Sequence, residues 1–151
     1  MPAVVGRREQ VMVALYALLS AAYPWGSTSR RLKLWDEVPL ASRPALFLFE
    51  GCPQTYRWGQ SVAFPIITMQ ADVVIYTDCK DPNIIGATQI NDICDALDAA
   101  LAPPTTGRYP DRQTLGGLVD HCRLDGEVRR VPGDLDGDGL VWCSVLITLP
   151  L

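Results

Sequence analysis

Apolar residues recur at helical spacing from about Arg7 to Ala22. Val11, Leu15, Leu18 and Ala22 make one stripe, and Met12, Tyr16, Leu19 and Tyr23 make a second beside it. Together they form a wider apolar face than packing on one sheet requires. Such a helix either buries both stripes in its own domain or shares them with a neighbouring subunit. Pro24 and Gly26 end it. From Ser29 to Val38 the period changes: Leu32 and Leu34 alternate with Arg31, Lys33 and Trp35, which predicts a strand or an extended arm with a basic face. Pro39 and Pro44 break it. Ala45 to Glu50 is a short apolar run suited to a buried strand, and a Gly- and Pro-rich turn region follows from Gly51 to Pro65.

Ile66 to Thr77 carries the clearest strand pattern. Ile67, Met69, Ala71, Val73 and Ile75 share one face, with Thr68, Gln70 and Asp72 opposite. Asp78 to Gly86 reads as a loop. A second helix is predicted from about Ala87 to Leu101, with Ile90, Ile93, Cys94, Leu97 and Leu101 inward and Asn91, Asp92, Asp95 and Asp98 outward. Pro103 and Pro104 stop it. Thr105 to Gln113 reads as an exposed loop. Leu115 to Leu124 and Glu127 to Val131 flank Asp125-Gly126, a pair that predicts a tight hairpin. A second turn follows Pro132. The last strand, Leu140 to Leu149, is apolar on both faces and is expected to be central or covered on both sides. This order predicts one α+β domain, a mostly antiparallel sheet with two helices packed on it.

The 151 residues match one domain, and 48% hydrophobic with 20% charged residues is ordinary for a folded chain. A net charge of -4 leaves no global basic field to hold phosphates, which disfavours a general nucleic-acid binder. The five cysteines are odd in number, widely spaced and free of C-x-x-C, so they read as reduced thiols in a cytosolic setting. Arg7-Arg8-Glu9 precedes the first apolar run without a convincing cleavage site after it, and Val11 to Tyr23 is shorter than the roughly 20 residues of a membrane span. A soluble intracellular protein with no membrane partner is the expectation.

Candidate chemistry is sparse. Asp134-Leu135-Asp136-Gly137-Asp138-Gly139 matches the first half of a calcium loop, but its twelfth position is Val145, inside an apolar strand. Turn chemistry explains it better, and no metal or other cofactor is expected. His121 is the only histidine and adjoins Cys122; neighbours on a strand point to opposite faces, so no thiolate–imidazole dyad is expected. Gly116-Gly117 lacks the Lys of a phosphate loop and suggests a bulge or a close backbone approach. Asp92, Asp95 and Asp98 lie on the solvated side of the second helix rather than in an acid–base pair. The weakest reading is an enzyme using Cys122 or these carboxylates. An alternative is a small intracellular ligand- or calcium-binding regulatory domain.

Basic pairs at Arg7-Arg8, Arg30-Arg31 with Lys33, and Arg129-Arg130 are usually solvated, whereas exposed Trp and Arg are enriched at protein interfaces. Trp35 and Trp58 are therefore read as either interface or core residues. Ser29-Arg30-Arg31-Leu32-Lys33-Leu34-Trp35-Asp36, then Arg43-Pro44-Ala45-Leu46-Phe47, Asn91-Asp92, Thr114-Leu115-Gly116-Gly117-Leu118-Val119 and the Gly133–Gly137 turn resemble small tail proteins of long-tailed bacteriophages, of the tail terminator or tail completion type. The resemblance spans most of the chain, and its motifs are structural rather than chemical.

It implies a virion protein, made in the host cytoplasm and placed at the head-proximal end of the tail. There a homohexamer ring caps the tube, stops polymerisation of the tube protein and offers a surface to the head–tail connector protein. DNA would pass through such a ring without sequence-specific binding. Cyclic rings join two different patches of each subunit. Arg30, Arg31, Lys33, Trp35, Tyr56 and Trp58 are the expected contributors, with no catalytic role for any residue.

Overall fold

The computed structural model describes residues 6–60, 64–103, 112–135 and 137–149. Among these the chain forms α1 (Arg7–Ser20), β1 (Ser27–Ser29), β2 (Ala45–Phe49), β3 (Thr55–Arg57), β4 (Ile66–Asp78), α2 (Gly86–Leu101), β5 (His121–Val131) and β6 (Asp138–Thr148). The sheet order is β1-β2-β4-β6-β5, with β3 also paired to β4. The β1–β2 pair is parallel and the other pairs are antiparallel. The α+β class, with two helices on a mostly antiparallel sheet, is the architecture observed.

Strand alternation builds two cores from one sheet. Met69, Ala71, Val73 and Ile75 of β4 and Val141, Cys143, Val145 and Ile147 of β6 face the helices. There they meet Val11, Met12, Leu15 and Leu19 of α1 and Ile90, Ile93, Leu97 and Leu101 of α2. Each Val, Leu, Ile or Met side chain removed from water there contributes about 1.5–3 kcal/mol. Val74 and Tyr76, one position out of phase on β4, join Ala45, Phe47 and Val38 in a smaller core on the opposite face. Leu140 and Trp142 of β6 pack against that core, so the central position expected for the last strand holds. The segment between β1 and β2 covers this second core. The doubled apolar face of α1 is largely absorbed by its own domain, with Tyr16 and Leu18 flanking the fully buried residues.

Several expectations change. Ser29 to Val38 is not a strand: β1 ends at Ser29, and Trp35–Glu37 forms a 3-10 turn that turns the Trp35 ring toward the second core. The Gly51–Pro65 region contains β3. Asp125-Gly126 is not a hairpin but part of a bulge within β5, where Asp125 opposes Ser144 and Arg129 opposes Trp142. The reason is length: β6 pairs with β5 on both sides of that dipeptide, so the antiparallel return must lie further on, at the turn after Pro132. Gly133 and Gly137 supply its positive φ values, 84° and 81°. Thr114 to Asp120 is likewise a turn, with Leu115, Gly116 and Gly117 all at positive φ. A methyl group at Gly116 or Gly117 would meet open space, so these glycines serve backbone conformation and not a close approach. Gly86 does serve an approach, because a side chain there would collide with the Pro132 carbonyl where α2 starts against the β5–β6 turn. The loop expected from Thr105 to Gln113 lies, up to residue 111, outside the described residues.

Candidate interaction surface

β3 is only three residues long and hydrogen-bonds to the start of β4, opposing Tyr56 to Ile67 and Arg57 to Ile66. β3 is exposed along its whole length. Tyr56 is 55% exposed, Trp58 64% and Phe64 70%. Their side chains are large and apolar, so their exposure leaves surface whose burial against a partner is favourable. Tyr56 is held rather than loose. Arg8 of α1 donates from Nε to Gln54 Oε1 and from Nη2 to Tyr56 Oη, both at 3.1 Å.

The other basic and aromatic residues divide. Arg31 and Lys33 are exposed. Arg30 is turned to internal use, donating to Glu50 at 2.8 and 2.9 Å and to Glu9 at 2.5 and 3.1 Å. That clamp ties α1 to the residue after β2. The hydrogen bond from Arg30 holds the Glu9 carboxyl below its usual range, and the two glutamates raise the Arg30 pKa further. Trp35 is half-buried: its indole N–H donates to Asp138 Oδ2 at 3.0 Å, and its ring stands edge-on to Tyr76 at 4.9 Å. The structure thus leaves Tyr56 and Trp58 exposed and sends Trp35 to the second core.

Phe64 is exposed as well, without having been singled out from the sequence. A large apolar residue inside a Gly- and Pro-rich turn was the available signal. A second feature was not legible at all: a cleft of about 430 Å³ between α2 and β5. Leu97, Leu124, Val128 and Cys143 make its apolar wall, with the bulged part of β5 supplying Leu124 and Val128. Asp95 and Asp98 line it from the exposed side of α2, and Arg130 crosses from β5 to hydrogen-bond Asn91.

Two carboxylates on the opposite sheet face are built into the fold. Asp72 accepts from Ser144 at 2.8 Å, Trp142 at 2.9 Å and Gln70 at 3.2 Å. Asp138 accepts from Arg43 at 2.7 Å as well as from Trp35. Burial raises both acids, but these hydrogen bonds outweigh it and leave both pKa values below 3.8. Their contribution is therefore complete above about 3.8 and lost as pH falls through the lower folded values. Urea midpoints are expected to stay level from about pH 6 to 5 and to fall below about pH 4. In Asp72→Asn that acid limb should be shallower; an unchanged limb would remove Asp72 from this role.

Asp138 is thus engaged by Arg43 and Trp35, which counts against its serving a calcium loop; Asp136 lies outside the described residues. No group of metal-ligating side chains occurs among the described residues. Cys122 is fully buried, with its thiol pushed up to about 12 by burial, while His121 is partly exposed, as their adjacency on a strand requires. All five thiols are free. No helix among the described residues is long and apolar enough to cross a membrane. No protein-family model matches the chain, and no curated protein matches it.

Proposed function

We propose that this chain is a structural assembly subunit of a phage virion, of the tail terminator type, and that it works by packing against other proteins. The observation that carries this reading is the exposure of Tyr56, Trp58 and Phe64 in and next to the short strand β3, each more than half in solvent, with Tyr56 held by Arg8. Aromatic anchors of this kind concentrate binding energy at protein interfaces. The resemblance of the Ser29–Asp36, Arg43–Phe47, Asn91-Asp92, Thr114–Val119 and Gly133–Gly137 segments to phage tail proteins supplies the kind of assembly. In this reading copies form a ring, a hexamer, on the head-proximal end of the tail tube. The ring stops addition of tube protein, receives the head connector and lets DNA pass without reading its sequence.

The test is polymerisation of purified tail tube protein with and without this chain, with tube lengths measured in negative stain. Addition of the chain should shorten and narrow the length distribution and leave density at one tube end. Unchanged tube lengths would overturn the reading and leave a small ligand-binding domain as the better one.

A further inference from the structure

Resting on the assembly reading above, we infer that the cleft between α2 and β5 receives the Tyr56–Trp58 edge of a second copy of this chain. The two surfaces lie toward opposite ends of one sheet. β3 hydrogen-bonds to β4 on the side occupied by β2, whereas the cleft lies over β6 and β5 beyond β4's other edge. A subunit that engages a neighbour through one surface therefore keeps the other free, which is the condition for a head-to-tail ring or chain.

Their chemistry is complementary. The projecting side offers Trp58, just past the end of β3, and Arg8 held against Tyr56. The receiving side has an apolar wall for an indole ring and the carboxylates of Asp95 and Asp98 for guanidinium groups. Arg130 carries the opposite charge on that side, but its hydrogen bond to Asn91 holds it against α2. Along α2 itself Asp92, Asp95 and Asp98 are the only charged residues, so the helix presents a purely acidic outer face. A single bulky aromatic side chain fits a space of about 430 Å³, and such a side chain buries roughly 150–250 Å². Matched charges around such an anchor set register and exclude wrong partners.

Two surface variants test this without disturbing either core. Trp58→Ala removes the projecting group and keeps the cleft; Asp98→Arg reverses the cleft's charge and keeps the projecting group. Light scattering of the full chain across a concentration range should show the wild type growing in mass. Each variant alone should associate at least ten-fold more weakly, with its melting temperature close to wild type. Mixed in equal amounts, the two should form a 1:1 dimer and nothing larger, because only one intact pair of surfaces remains. Variants that assemble alone as the wild type does, a mixture that stays monomeric, or a wild type that stays monomeric throughout would each overturn the inference. None of those results decides the tube-length assay. Tubes capped by wild type and by both variants alike would keep the assembly role and remove this interface from it.

Discussion

Replacing Arg43 with alanine is expected to lower the unfolding free energy by about 3–5 kcal/mol, the cost of breaking a buried ion pair from one side. The Arg43 side chain is 4% exposed and sits where three segments meet. It donates to Asp138 at 2.7 Å on β6, to the Trp35 carbonyl at 3.0 Å and to the Val38 carbonyl at 3.2 Å. Its guanidinium also lies 5.0 Å from the centre of the Trp35 ring. Truncation takes the Arg43 cation from Asp138 and one donor from each of the Trp35 and Val38 carbonyls. It also unpins the segment that covers Phe47 and Tyr76 from solvent. For a chain of this size the loss corresponds to a fall in Tm of roughly 10 °C. Urea unfolding followed by circular dichroism measures it, with Trp fluorescence reporting the released Trp35 ring. A loss below about 1 kcal/mol would show that the second core does not depend on this cluster.

Leu15→Ala is expected to cost about 3–4 kcal/mol, because the side chain is fully buried between α1 and the sheet and its removal leaves a cavity. The experiment also decides what α1 is for. A helix committed to its own core loses folding stability on this change, and the solution mass of the folded protein stays the same. A helix shared with a neighbouring subunit shows the reverse, a change in mass with little change in the unfolding midpoint. The burial of Val11, Met12, Leu15 and Leu19 within one chain points to the first outcome. Paired measurements of urea midpoint and light-scattering mass on the same samples separate the two.

How far the fold was legible varies from element to element for identifiable reasons. α2 and β4 are long, strongly periodic segments, and their observed bounds differ from the expected ones by a single residue at one end. The phase change on β4, from Met69–Ile75 on one face to Val74 and Tyr76 on the other, was also present in the pattern. Its meaning was not, since nothing local says that a second core will cover the far face. Asp125-Gly126 misled because the same residues favour a tight turn and a bulge. What distinguishes the two is whether the chain on both sides pairs with one strand, and here both sides pair with β6.

The candidate interface residues divide along the same line. The exposure of Trp58 and Tyr56 was legible because aromatics in a Gly- and Pro-rich turn have little around them to bury against. Arg30 and Trp35 looked equally available, yet Glu9, Glu50, Asp138 and Tyr76 reach them from distant parts of the chain. The α2–β5 cleft depends on a bulge and a helix about thirty residues apart in sequence. By itself the sequence determined what local chemistry controls: the two helices, the strands β4 and β6 and the α+β class. Tertiary structure alone decided which partners each polar side chain meets and which apolar groups stay in solvent. Those outcomes depend on strand order and on contacts between distant residues, which no local pattern of side chains encodes.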